Sequence, residues 1–322
     1  MNAPRTRVLD SESTEIIPPL NSDADGLTTQ FDPSYLRRVA VEVALEASQL
    51  IEVMRREVVG PEGHVRVADV KSSAVDPVTE VDRASENLIR KRLQEEFPES
   101  RVLGEEEGES STKHARADLL WVVDPIDGTV NFIYGIPAYA VSIAATVAGQ
   151  PIAAAVVDVA HGLVYSAAVG HDALLHSRQQ WHRGEPGQRL TVSHDEDSLH
   201  TALVATGFAY LSQRRAVQAD LLTSLLPRVR DIRRLGSAAL DLCHVAAGRV
   251  DAYYEHGLGP WDHAAGALIA ARAGAIVQMP ELDVNSSEGV QVMAAKPAIA
   301  RPLLNYLEEC VPGGVLAPVG ES

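Results

Sequence analysis

Trp121-Val122-Val123-Asp124-Pro125-Ile126-Asp127-Gly128-Thr129 is the stretch on which the reading of the chain turns. Its apolar lead-in, Leu119 to Val123, has the composition of a buried strand and delivers two carboxylates, three positions apart, to the strand's carboxyl end. Pro125 lacks an amide proton and Gly128 tolerates a tight turn, so the chain is expected to leave the strand sharply there. Asp124 and Asp127 then face one small volume. Two carboxylates forced together repel, so the arrangement requires a cation between them or a proton on one of them. Oxygen donors of this hardness suit magnesium better than zinc. The spacing alone also fits a capped strand-to-helix turn with solvated acids.

Toward the N-terminus, Asp32-Pro33 is a cap followed by a first-turn proline, and Leu36, Val39, Ala40, Val43, Ala44, Ala47, Leu50, Ile51 and Met54 recur at helical spacing. After Gly60 comes a polar connection containing Lys71-Ser72-Ser73, then Asp76-Pro77-Val78-Thr79-Glu80-Val81-Asp82. Thr79 can cap a second helix with Val81, Ala84, Leu88, Ile89 and Leu93 as its buried stripe. Asp82 then lies on its first turn, where the positive helix end favours an anion. Arg101 to Leu103 reads as a short strand that ends in Gly104-Glu105-Glu106-Glu107-Gly108, and a solvated turn explains these adjacent acids as well as a site does.

Toward the C-terminus, Ala138 to Val147, Pro151 to Val157, Leu163 to Ala168 and Ala173 to His176 form strand-like runs that indicate an antiparallel meander. The Gly- and Pro-containing loop from Trp181 to Gln188 is the expected boundary between an antiparallel α+β half, residues 32–188, and an α/β half, residues 189–312. In the second half, helices at Val217 to Leu226, Ser237 to Ala247, His263 to Ala273 and Ala298 to Glu309 alternate with strands at Ala202 to Ala205, Ala252 to Tyr254, Ala275 to Met279 and Val290 to Ala294. Pro260-Trp261-Asp262 is expected to precede its helix. Residues 1–31, rich in Pro, Ser, Asp, Glu and Thr without periodicity, read as a mobile tail, and residues 313–322 as a second one.

Lys plus Arg number 28 against 44 Asp plus Glu, a formal charge of −16, which disfavours a general electrostatic grip on nucleic acid or anionic lipid. Cys243 and Cys310 are far apart and form no metal-type or redox-type pair, so a reducing cytoplasm is the expected compartment. No apolar run reaches the ~18 residues of a membrane span, and the N-terminus lacks a signal peptide's apolar centre.

Asp82, Glu105, the Asp124/Asp127 pair and Asp262 stand at the ends of expected elements. Together they resemble the inositol monophosphatase family, magnesium-dependent and lithium-sensitive phosphatases, from about Ser34 to Glu309. The resemblance rests on D-P-V-T-E-V-D at Asp76 to Asp82, G-E-E at Gly104 to Glu106, W-V-V-D-P-I-D-G-T at Trp121 to Thr129 and W-D-x-A-A-G at Trp261 to Gly266. It implies a layered α/β/α/β/α sandwich, commonly dimeric, with an antiparallel sheet in the first half and a mixed one in the second.

The resemblance also implies a chemistry, hydrolysis of myo-inositol monophosphate to inositol and phosphate. Hydroxide attack on a phosphate dianion is opposed by charge, and two or three magnesium ions can relieve that opposition. By the resemblance, Glu105, Asp124 and the carbonyl of Ile126 hold a first ion; Asp124, Asp127 and Asp262 hold a second; and Glu105 touches a weaker third. Asp82 and Thr129 orient and deprotonate the attacking water. Asp127 also faces the substrate, and the amides of Gly128 and Thr129 bind phosphate oxygens. Lys71 and Glu106 match positions near the metals. Gly236, Ser237, Ala238 and Glu255 match positions that contact the inositol ring, with Ser237 standing where Thr is more common. Histidinol phosphate, sugar bisphosphates and nucleotide phosphates are rival substrates, and a non-catalytic partner-binding role is the rival function, because one fold serves several ends.

Overall fold

A computed structural model describes residues 6–9, 31–60, 63–65, 69–70, 77–109, 118–195 and 197–316. Lys71 and Asp76 lie outside them, as do residues 317–322 of the second expected tail. In chain order the strands are β1 (Thr6–Leu9), β2 (Asp69–Val70), β3 (Pro77–Val78), β4 (Arg101–Gly104), β5 (Gly108–Glu109), β6 (Leu119–Asp127), β7 (Ala140–Val147) and β8 (Gln150–Asp158). They continue with β9 (Leu163–Ala168), β10 (Leu174–Ser177), β11 (Gln188–Arg189), β12 (Leu203–Thr206), β13 (Asp231–Arg233), β14 (Ala252–His256), β15 (Ile276–Pro280) and β16 (Gln291–Ala295). The helices are α1 (Pro33–Val58), α2 (Glu80–Glu96), α3 (Thr129–Tyr134), α4 (Arg178–His182), α5 (Ser212–Leu225), α6 (Ala238–Ala246), α7 (Pro260–Arg272) and α8 (Pro297–Cys310).

The expected meander is the larger part of an eight-stranded sheet, ordered β11-β10-β9-β8-β7-β6-β4-β5. From β6 to β11 each strand pairs antiparallel with the next, and β4 joins β6 in parallel. The second sheet runs β1-β15-β16-β14-β12-β13, with β12 parallel to both its neighbours and the rest antiparallel.

Two expectations are corrected. The segment 6–9 is a strand rather than part of a mobile tail: it pairs antiparallel with β15, from Thr6 opposite Pro280 to Leu9 opposite Val277. A four-residue strand carries too little pattern to be seen locally. Its formation is set by the open edge of β15, whose backbone groups would otherwise lack partners. The chain also does not leave the central strand at Pro125; β6 continues to Asp127.

Side-chain alternation separates the layers. On β14 and β16, Tyr253, Val292 and Ala294 face a core shared with the first sheet, while Ala252, Tyr254, Met293 and Ala295 face Leu221, Leu225, Ile299, Leu303 and Leu307 on α5 and α8. Helices α1 and α2 cover the outer face of the eight-stranded sheet, and α6 and α7 fill the space between the sheets. The order is therefore α/β/α/β/α, as the resemblance implies. Small residues make the central layer thin: a Cβ added to Gly266 of α7 would lie 2.7 Å from Cβ of Leu242 on α6. Among the described residues no helix is long and apolar enough to cross a membrane. Both cysteines are free, Cys243 buried and Cys310 exposed.

Candidate active site

On a regular strand, residues three apart point to opposite faces. Asp124 and Asp127 escape this through a β-bulge: Asp124 pairs with Ser142 and Asp127 with Ala140, so three steps on β6 oppose two on β7. The extra residue restores a common side. Asp124, Asp127 and Asp262 each present a carboxylate oxygen, and the three atoms lie within 4.8 Å of one another. The bulge is held at its own atoms, since Ile126 N–H donates to Asp124 Oδ1 at 3.0 Å and Ser85 Oγ of α2 donates to the Pro125 carbonyl at 3.3 Å. Gly128 then turns the chain into α3 at φ 94°, where an added Cβ would also meet the Ala138 carbonyl oxygen at 2.8 Å.

Three helix starts aim the remaining groups. Thr79 caps α2 and Asp82 closes a capping box, its Oδ2 accepting from the Thr79 N–H at 2.9 Å and from the Thr79 hydroxyl. Asp82 Oδ1 faces Thr129 Oγ1 at 3.2 Å; the single Thr129 proton can go there or to the Ile126 carbonyl at 3.0 Å. Gly259 caps α7, Pro260 occupies its first position, and Asp262 Oδ2 accepts from Gly259 N–H at 2.7 Å. The expectation that Pro260-Trp261-Asp262 precedes the helix is thus corrected: a first-turn proline starts it three residues earlier. Ser237 caps α6 and donates to Asp127 Oδ2 at 2.5 Å, while Ala239 N–H donates to the same oxygen at 2.8 Å. Asp127 of the first sheet is therefore held by a helix that packs against the second.

Asp124, Asp127 and Asp262 line one cleft of about 400 Å³ together with Glu105, Thr129 and Glu255. Burial pushes the Asp127 carboxyl up to about 6, against the opposing hydrogen bonds from Ser237 and the backbone. Asp262 is pushed well above the usual carboxylate range by burial first, then by the charges of Glu105 and Asp127. Glu255 rises to about 7, chiefly through burial, although the Tyr253 hydroxyl donates to it at 2.8 Å and Arg234 opposes the rise. Converging carboxylate oxygens, raised by burial first and held by a hydroxyl and backbone amides, fit a hard divalent cation.

The family profile of inositol monophosphatases matches residues 32–311. The chain belongs to the inositol monophosphatase family. It is 50% identical over 285 residues to inositol-1-monophosphatase of Mycobacterium leprae, covering 86% of this chain and 94% of that protein. It is 40% identical over 248 residues to a Nus factor SuhB of Pseudomonas aeruginosa, covering 74% and 83%. The solved structure of Mycobacterium tuberculosis SuhB superposes with a TM-score of 0.71 at 46% identity, over 87% of this chain and 98% of that one. The chain is thus a phosphatase of a metal-dependent family that acts on small phosphate esters.

Within this member of the family, the structure brings Glu105, Asp124, Ile126, Asp127, Gly128, Thr129, Gly236, Ser237, Ala238, Glu255 and Asp262 to the cleft, with Asp82 behind Thr129. Glu106 gives its N–H to buried Glu86. Sequence reasoning missed three groups of the phosphatase. Asp241 is buried, and burial, then the charges of Glu255 and Asp127, push its carboxyl well up; an acid in the otherwise apolar run Ala238 to Cys243 was the available signal. Arg234 lines the cleft without a hydrogen bond or ion pair among the described residues. Arg214, almost fully buried, ties α5 to the far wall by donating to the carbonyls of Ser286 at 2.8 Å and Ser287 at 2.6 Å. Nothing in its sequence context marks it.

Proposed function

We propose that this phosphatase hydrolyses myo-inositol monophosphate to inositol and inorganic phosphate, with magnesium as its metal. The reading is carried by the convergence of Glu105, Asp124, Asp127, Asp262, Thr129 and Glu255 on one cleft. Glu105, Asp124 and the Ile126 carbonyl would hold one magnesium ion and Asp124, Asp127 and Asp262 a second, with Glu105 touching a weaker third; bound there, magnesium offsets phosphoryl charge and stabilises the leaving oxygen.

The chain's own groups handle the proton. Asp82 Oδ2 is tied to the cap of α2, and Oδ1, 3.2 Å from the Thr129 hydroxyl, takes a proton through it. The water oxygen bonds to phosphorus as the bond to the inositol oxygen breaks, and that oxygen leaves with a proton from solvent. The amides of Gly128 and Thr129 serve the phosphate oxygens. At the other end, the Tyr253 hydroxyl fixes Glu255 Oε2, leaving Oε1 to accept a ring hydroxyl beside the Gly236-Ser237-Ala238 turn.

Phosphate release from inositol 1-phosphate, histidinol phosphate and a sugar bisphosphate, with magnesium and with chelator, tests this. The expected result is chelator-sensitive turnover with the highest kcat/KM on inositol 1-phosphate; a higher value on either rival would refute the substrate, and full activity in chelator would refute the metal. A second role in partner binding is favoured by the relatives named Nus factor SuhB. The charge of −16 points to a protein rather than RNA as that partner. A homodimer is proposed from the family resemblance, and a one-chain mass by light scattering would refute it.

A further inference from the structure

Glu86 of α2 is fully buried and carries a carboxylate, yet it is not one of the residues that line the cleft. Its two oxygens receive the turn between β4 and β5: Oε2 accepts from Glu106 N–H at 2.8 Å and Oε1 from Glu107 N–H at 3.0 Å. The residue before the turn is Gly104, where an added Cβ would fall 2.3 Å from Glu86 Oε1. Only glycine leaves room for the carboxylate under the strand end.

One helical turn later on the same face, Arg90 donates its Nε to Glu86 Oε1 at 2.8 Å. The same guanidinium donates to the Val102 carbonyl at 3.1 Å and to the Gly108 carbonyl, so it clasps both strands that flank the turn. One turn earlier, Asp82 faces Thr129, and between them Ser85 holds the Pro125 carbonyl in the bulge of β6. A single helix face therefore references the proton acceptor, the aspartate bulge and the Glu105 turn to one another.

We propose that Glu86 is a positioning residue of the metal site: with Arg90 it locks the turn so that Glu105 stays aimed at the cleft. The inference rests on the reading of Glu105 as a magnesium ligand. A carboxylate is required because two N–H donors converge on it while Arg90 cancels its buried charge. Glutamine at this place would turn an NH₂ toward one of the N–H groups and leave Arg90 only the half-exposed Glu107, 3.7 Å away, as a counter-charge.

The test compares wild type, Glu86→Gln and Arg90→Lys, each prepared metal-free. Three measurements are made: magnesium binding by calorimetry, hydrogen exchange of the amides of residues 106 and 107, and phosphate release as magnesium is raised. Outer contacts of this kind change metal affinity by roughly 10- to 100-fold. The expected result for Glu86→Gln is faster exchange at 106 and 107, at least about tenfold weaker magnesium binding, and turnover restored to within about threefold at saturating magnesium. Recovery by metal separates positioning from a general loss of structure. Arg90→Lys, which keeps a cation beside Glu86 but releases the strand carbonyls, is expected to follow the same pattern to a smaller degree and stands in if Glu86→Gln does not fold. Wild-type magnesium affinity and wild-type exchange in a folded variant would overturn the inference alone. Absence of magnesium binding by wild type would overturn the metal reading and the inference with it.

Discussion

The raised carboxyl of Asp127 makes the metal-free protein sensitive to pH in a direction opposite to that of a surface acid. Its ordinary value is 3.8 and burial brings it to about 6, which is worth about 3 kcal/mol. Between those values the folded chain holds a proton that the unfolded chain has lost, so stability falls as pH rises through this window and is lower by the full amount above it. Asp127→Asn removes the titration while its amide oxygen can still accept from Ser237 and Ala239. Urea unfolding in chelator at a series of pH values from ~4.5 to ~8 should therefore show the variant gaining on wild type as pH rises, by about 2 kcal/mol between the first of these values and the plateau. Adding magnesium at about 100 times its dissociation constant should then stabilise wild type by about 2.7 kcal/mol. The variant, which lacks one of the carboxylates proposed to hold the second ion, should gain much less. A difference between the two proteins that stays constant across the pH series would show that Asp127 is not held against its own charge, and the electrostatic account of the site would fail.

Four further outcomes are expected. Asp124→Asn should keep its melting temperature yet lose more than ~90% of turnover, equivalent to more than about 1.4 kcal/mol of barrier stabilisation; a folded variant with more activity would remove Asp124 from the site. Glu255→Gln should lower kcat/KM for inositol 1-phosphate by roughly 10- to 100-fold, from a hydrogen bond worth about 1.5–3 kcal/mol, and for β-glycerophosphate much less; equal losses would refute a ring contact. Gly207→Ala should copy that selective loss, because its Cβ would fall 1.8 Å from Glu255 Oε2, and unchanged substrate preference would count against it. Lithium should inhibit uncompetitively or noncompetitively with respect to substrate, and turnover indifferent to millimolar lithium at limiting magnesium would contradict this.

Long elements with clear periodicity were legible. Of the expected stripe, Leu36, Val39, Ala40, Val43, Ala44, Ala47 and Ile51 are buried in α1 while Leu50 and Met54 are half-buried, and β9 runs over the expected Leu163 to Ala168. The layered sandwich followed from the motifs taken together. Elements defined by tertiary pairing were not legible: Thr6–Leu9 exists because β15 has an open edge, and Asp231–Arg233 because β12 accepts a parallel neighbour. The acidic residues were found through their motifs, but the device that unites Asp124 with Asp127 was not, since a bulge is fixed by register with β7 rather than by anything local. Glu86 and Arg90 passed for ordinary residues of an amphipathic helix because their partners lie 12 to 21 positions away.

The bond from Ser237 to Asp127 spans 110 residues, and that from Ala239 to the same oxygen spans 112. A ribosome adding ~5–20 residues per second leaves Asp127 waiting on the order of 5–20 s for the helix start that receives it. During that time the central strand must keep its acids wetted, because a buried carboxylate without donors would be expelled from the growing sheet. The pocket is therefore among the last parts of the molecule to become dry. Phosphatase activity appearing in a translation reaction would serve as a clock for the moment when α6 and α7 slide between the sheets, and a chain halted before Asp262 should show none of it.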